Sequence, residues 1–316
     1  MTEPTALTDS AAPSLPTVAV LLSTYNGEAY LAEQLASLRD QRGVEVRLHA
    51  RDDGSRDGTC AILRAHAGTW PELAGAEPGA NRGVVVSFLE LLRTAPDAEY
   101  FAFCDQDDVW LPEKLARAAA TLAGEAGPAL YCSNVTCVDG NLAVLGTPAP
   151  QRDASFQHIL FENIATGCTV VLNRAARALL VAALPERGAV LHDWWCALVI
   201  AALGRVIYDP EPSMLYRQHG RNVVGFDTSW LGQKFKQALR VVRERRSVYA
   251  IHGQAAELLR LFGRRMPAAR RERLERLVGS KRSVPARLAY ALSGQIVHRD
   301  PVGKVAVRGL ILADWY

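Results

Sequence analysis

No uninterrupted apolar run in this 316-residue sequence approaches the roughly 18 residues that a membrane-spanning helix needs. No signal-peptide pattern stands at its start, and its six cysteines (Cys60, Cys104, Cys132, Cys137, Cys168 and Cys196) include no CxxC pair. These absences argue against a transmembrane chain, a disulfide frame or a zinc site, and predict reduced core thiols in a cytoplasmic protein. Internal repeats are missing too, and so is any RNA- or DNA-binding motif, so nucleic acid is not an expected partner.

What the chain does have is core material and an uneven charge. Hydrophobic residues make up 49% of it, ample for a globular core. The net charge of +3 conceals an asymmetry, because residues 230–316 carry 19 Lys and Arg against 6 Asp and Glu, leaving −10 on residues 1–229. Residues 1–16, rich in Thr, Ala, Ser and Pro, read as a disordered leader. An α/β domain is expected over 17–228 and a basic helical region over 229–316. That basic region suits an anionic membrane surface, a dimer interface or plain solvent.

Within 17–228, strands and helices alternate at intervals of about 30 to 40 residues, the pattern of a mostly parallel, helix-flanked sheet. Val18–Leu22 is a buried first strand, followed by the turn Ser23-Thr24-Tyr25-Asn26-Gly27 and a helix through Leu38. Val44–Ala50 is a second strand, ending in Arg51-Asp52-Asp53-Gly54-Ser55, and Asn81-Arg82-Gly83 opens another helix. Tyr100–Cys104 is a third strand, running into Asp105-Gln106-Asp107-Asp108 with Pro112 in the first turn of the next helix. Further strands are expected near 129–132, 135–138, 167–172 and 205–208, and helices near 156–161, 174–184 and 190–203.

Three strand ends thus deliver polar turns to one rim, the edge where open α/β sheets bind ligands. The acidic turn has two readings. Three carboxylates within four positions repel one another unless a divalent cation such as Mg²⁺ or Mn²⁺ offsets them, or they form a solvated turn capping the next helix.

Six segments in order, Leu22–Gly27, Arg51–Ser55, Cys104–Trp110, Gly167–Thr169, His192-Asp193-Trp194-Trp195 and Arg217–Asn222, resemble the family 2 glycosyltransferases of GT-A fold, particularly their bacterial rhamnosyltransferase branch. The resemblance spans about residues 17–225. It implies an inverting, metal-dependent transferase in cell-surface polysaccharide assembly, moving a sugar, rhamnose favoured, from a nucleoside-diphosphate donor such as dTDP-L-rhamnose to a saccharide or lipid-linked glycan. Asp193 would be the catalytic base. Asp107, Asp105 and His219 would hold Mg²⁺ or Mn²⁺, with Asp108 a supporting or helix-capping residue. Thr24, Tyr25, Asn26, Asp53, Arg82, Asp105, Gln106, Asp107, Gly167, Arg217 and Arg221 would contact the donor, and Trp194 and Trp195 would wall the acceptor side. Cys168 has no base beside it in sequence and is not expected to act as a nucleophile. The competing readings are a sugar-phosphate nucleotidyltransferase, which should carry a Gly-rich, Arg-containing loop after the first strand, and a non-catalytic nucleotide-sugar-binding module. The implied location is the cytoplasm, at the inner face of the plasma membrane if the basic region docks there.

Overall fold

Thr17–Thr24 forms β1, and its side chains divide cleanly between two cores. Val18, Val20 and Leu22 point into one cluster, Ala19 and Leu21 into another, all fully buried. A strand covered on both faces needs such a continuous apolar run rather than an alternating one. In the computed structural model, which describes residues 14–68, 70, 79–151, 153–186, 189–219 and 251–316, β1 lies between two parallel neighbours. They are Glu45–Asp52 (β2), in register Thr24↔Asp52, and Tyr100–Cys104 (β3), in register Leu22↔Cys104.

Val109–Trp110 (β4), Ala129–Ser133 (β5), Thr136–Val138 (β6), Val144–Gly146 (β7), Val171–Asn173 (β8), Arg205–Asp209 (β9) and Met214–Arg217 (β10) complete the strands. The main sheet has six strands in the order β2-β1-β3-β8-β5-β9, and a second sheet has the order β4-β10-β6-β7. The main sheet is parallel except at β8, which runs antiparallel to both β3 and β5. The stretch expected as one strand over 167–172 opens instead with a single 3₁₀ turn, Gly167–Thr169.

Helices cover both faces. Leu31–Arg39 (α1), Thr59–Ala67 (α2) and Lys114–Leu122 (α4) pack on the Val18 side. Val84–Thr94 (α3), Phe156–Ile159 (α5), Arg174–Val181 (α6) and His192–Leu203 (α7) pack on the Leu21 side. All six cysteines are buried and none is in a disulfide.

The C-terminal helices are Ile251–Phe262 (α8), Ala268–Ser280 (α9), Val284–Leu292 (α10) and Pro301–Leu312 (α11). Ile251, Leu258, Phe262, Leu274 and Leu277 join the hydrophobic cluster that holds α7. Arg270 Nη1 donates to Ala202 O at 2.9 Å and Glu186 N to Glu257 Oε1 at 2.9 Å, fastening the basic region to the sheet domain. Residues 251–316 are occupied by these helices, a 3₁₀ turn at Gly263–Arg265 and short connections. The expected boundary at 228/229, most of the expected leader and Arg221 lie outside the described residues. Among the described residues no helix is long and apolar enough to cross a membrane.

Candidate active site

The parallel registers bring the ends of β1, β2 and β3 to one rim, as the sequence predicted, but several rim side chains are consumed in building it. Thr24 Oγ1 donates to Asp52 Oδ2 at 2.8 Å. Asp52 Oδ1 accepts from Gly54 N and Ser55 N at 3.0 and 2.7 Å. Asn26 takes φ +50°, accepts from Arg56 N at 2.9 Å and donates its own N–H to Ser55 Oγ at 2.8 Å. Thr24 and Asn26, expected to meet the donor, instead shape the turn with these bonds. Asp53 pairs with Arg51 and accepts from Arg82 N and Gly83 N at 2.9 and 2.8 Å, seating the start of α3. Burial works against its charge, but the Arg51 guanidinium and the two N–H groups hold its pKa below the usual value. A carboxylate has about four lone-pair sites, so Asp53 keeps little capacity for a base. Arg82 has an exposed side chain.

Gln106 is a second correction. Its amide accepts from Tyr25 N at 2.7 Å and donates to Tyr25 O at 3.0 Å, completing both polar groups of that peptide as a neighbouring strand would. The side chain therefore clamps the first turn to the third and is not free for a donor. Gly27 is the condition for this clamp, because a Cβ there would lie 2.2 Å from Gln106 Oε1. The clamp leaves the Tyr25 ring 48% exposed at the rim.

In the acidic turn, Asp107 Oδ2 lies 2.8 Å from His219 Nε2, so two of the three expected metal ligands meet. The imidazole stacks on Tyr30, centroids 5.2 Å apart. Arg217 is also corrected: it is fully buried, with Nε donating to Asp107 O at 2.8 Å, Nη1 to Gly140 O at 2.6 Å, and Nη2 paired with Glu33. Its backbone N–H reaches Asp108 Oδ1 at 3.0 Å. The guanidinium that was expected on a phosphate instead fixes the turn from behind.

Asp105, Asp108 and Cys168 form the inner part, with one ligand-type atom from each within 4.8 Å of the others. Burial, followed by the charges of Asp107 and Asp193, raises Asp105 to about 7. Burial and the charges of Asp107 and Asp105 push Asp108 well above the carboxylate range. Among the described residues no N–H or O–H reaches Asp108 Oδ2. These acids carry more negative charge than the protein balances, and carboxylate oxygens with one imidazole suit Mg²⁺ or Mn²⁺. The residues therefore fit a divalent cation. Burial pushes the Cys168 thiol far up, so it is not an activated nucleophile. Asp108 does not cap the helix after it; it anchors Arg217 and belongs to the inner acid group.

Asp193 stands at the first turn of α7. It is buried, and Oδ1 accepts from Trp194 N at 2.6 Å. Burial raises it to about 6, while hydrogen bonds from Trp194 N, the Asn163 side chain and Gly167 N hold it there against a further rise. Gly167 packs so closely that a Cβ would meet His192 Nε2 at 2.9 Å and Asp193 Oδ2 at 3.5 Å. Gly167 thus supports the acid rather than simply admitting a sugar. Trp194 and Trp195 are corrected as acceptor walls: both are buried, and Trp194 Nε1 donates to Ile159 O at 2.6 Å within the core.

Sequence reasoning missed Lys114, Tyr30 and Glu33. Lys114 is fully buried behind the acidic turn, its Nζ 4.3 Å from the Trp110 ring centroid, and burial lowers its pKa to about 8. The available signal was its place on the buried stripe of α4 with Leu115, Ala118 and Leu122.

Residues 19–168 match the model of glycosyl transferase family 2. The dTDP-rhamnosyl transferase RfbG of Shigella flexneri is 29% identical over 219 residues, covering 66% of this chain and 75% of that protein. An uncharacterized protein of Mycobacterium tuberculosis is 27% identical over 212 residues, covering 65% of this chain and 60% of its own length. Among solved structures, S. aureus TarS in complex with UDP superposes with a TM-score of 0.56 at 18% identity, covering 84% of this chain and 71% of that one. The mannosyltransferase PcManGT from Pyrobaculum calidifontis, in complex with GDP-Man and Mn²⁺, has a TM-score of 0.52 at 21% identity, covering 97% of this chain and 84% of that one. At these identities the two structures are relatives in fold.

Proposed function

We propose that this chain, whose residues 19–168 form a family 2 glycosyltransferase domain within a GT-A fold, is an inverting transferase with Asp193 as its base. The observation that carries the reading is the Asp193 carboxylate itself. Burial holds it at about 6, so it is ionised at neutral pH yet a stronger base than an exposed acid. Its charge is among the influences that raise Asp105, which supports reading it together with the acidic turn.

In this reading the Tyr25 ring offers a stacking face for the donor base at the rim. Asp107, His219 and Asp105 would hold Mg²⁺ or Mn²⁺, which when bound stabilises the charge on the departing nucleoside diphosphate. Asp193 takes the proton from the acceptor hydroxyl as that oxygen forms its bond to the anomeric carbon and the diphosphate leaves from the opposite side. No acid is needed for the leaving group. Kinship with the Shigella dTDP-rhamnosyl transferase favours dTDP-L-rhamnose as donor, and the resemblance of the sequence motifs suggests a saccharide or lipid-linked glycan as acceptor. A nucleotidyltransferase is disfavoured because the turn after β1 is Tyr25-Asn26-Gly27, with no Gly-rich, Arg-containing loop.

The test is Asp193→Asn with dTDP-L-rhamnose and extracted lipid-linked glycans. Donor affinity, read by calorimetry, should change little, while transfer falls by at least about 10²-fold, the span of a lost general base. Turnover near that of the unchanged protein would remove Asp193 from the role.

A further inference from the structure

The C-terminal helices bury one face and leave the other uncovered. In α10, Tyr290 and Ala291 enter the core, while Val284, Leu288 and Leu292 lie four residues apart on the outer face, up to 71% exposed at Leu292. In α11, Val307, Leu310 and Ile311 are buried, while Val302, Val305 and Leu312 share the outer face, with Val305 65% exposed. Trp315 follows, about half exposed. Side chains at these spacings stand one above another on a helix.

The two helices adjoin. Asp314, just past the end of α11, lies 3.8 Å from Lys281 Nζ and 3.7 Å from Arg287 Nη1, at the start of α10. The helices are therefore antiparallel neighbours, with Val284 at the end that carries Leu312 and Trp315, and Leu292 at the end that carries Val302 and Val305. The surroundings are basic: residues 281–316 hold six Lys and Arg against two Asp. Lys281 and Arg282 stand before α10, and Lys304 and Arg308 lie along α11.

We propose that the outer faces of α10 and α11 dock on an anionic lipid bilayer. The apolar stripe enters the boundary between headgroups and acyl chains, and Lys281, Arg282, Lys304 and Arg308 meet the lipid phosphates. Trp315 has the amphipathic ring that favours this depth. A second copy of the chain fits less well, since a two-fold interface sets a patch against itself and would press like charges together. Docking here would bring a soluble-donor enzyme to acceptors carried on lipid.

The full-length protein would be sedimented with phosphatidylcholine vesicles, with and without phosphatidylglycerol, at low and high salt. It should bind the anionic vesicles, and binding should weaken with salt. The triple variant Leu288→Ser, Leu292→Ser, Val305→Ser, altered only at exposed positions, should bind roughly tenfold or more weakly, as expected for loss of three apolar side chains from the boundary. Its circular dichroism and its turnover of soluble donor should be unchanged. Absence of the unchanged protein from the anionic pellet would overturn the proposal. So would equal binding by the triple variant, or a concentration-dependent dimer in light scattering that the triple variant abolishes. Since no donor is present, failure here is distinct from failure of the transferase assignment.

Discussion

His192 offers a quantitative test of the core behind the active site. It is 6% exposed, stacks on Phe88 with centroids 4.0 Å apart, and meets Phe103 edge-on at 5.0 Å. Neither ring nitrogen has a hydrogen-bond partner. Burial lowers its pKa from 6.5 to about 3, so the folded protein holds a neutral imidazole. As pH falls through 6.5 the unfolded chain takes up a proton that the folded chain accepts only near 3. This contribution to stability is therefore intact above 6.5 and is lost progressively as pH falls from there towards 3. Between about pH 7.5 and about pH 5 the linkage relation gives a loss of about 2 kcal/mol. Asp105 and Asp193, whose raised pKa values act in the opposite sense, are common to the unchanged protein and to His192→Leu, so the difference between the two isolates the imidazole. Urea unfolding of both proteins at the two pH values is the assay. The unchanged protein should lose about 2 kcal/mol more than the variant over that interval. Parallel losses would refute the buried, neutral histidine.

Two further outcomes follow from the site. Turnover at saturating donor should fall as pH drops through about 6, by about tenfold per unit once Asp193 is protonated; a rate that stays flat a full unit below that point would sink Asp193 as base. Gly27→Ala and Gln106→Ala should each weaken donor binding, and the double variant should be no worse than either, because both break one clamp. Additive losses in calorimetry would show that Gln106 reaches the donor independently.

The legible parts of the sequence were those in which one local stretch carries its own meaning. Val18–Leu22 and Tyr100–Cys104 read as buried strands from their own composition, whereas Asp105–Asp108 after β3 had two readings and Asp193 at the head of α7 drew its expected role from the family resemblance. The direction of β8 was not legible, since a run of Val and Leu reads the same in either direction. Nor were β4 and β7, whose two and three residues are too short to show a period. Gln106 and Arg217 were misread because their partners, Tyr25 and Asp107, lie 81 and 110 residues away, and only tertiary structure turns a ligand-like side chain into a brace. The burial of the tryptophans was legible in the helix itself: α7 is apolar on nearly every side, which marks an element buried all round rather than the wall of a wet cleft.

The brace formed by Arg217 has a consequence in time. Its guanidinium reaches back to Gly140, Asp107 and Glu33, at separations of 77, 110 and 184 residues. During synthesis at about 5–20 residues per second, the acidic turn is therefore made roughly 5–20 s before the residue that fastens it. The three strand ends of the rim can meet early, but the acidic turn acquires its geometry only when β10 arrives. A nascent or truncated chain is left with an unfastened, self-repelling cluster of acids, so catalytic competence is deferred to the end of folding and serves as a report that the domain is finished.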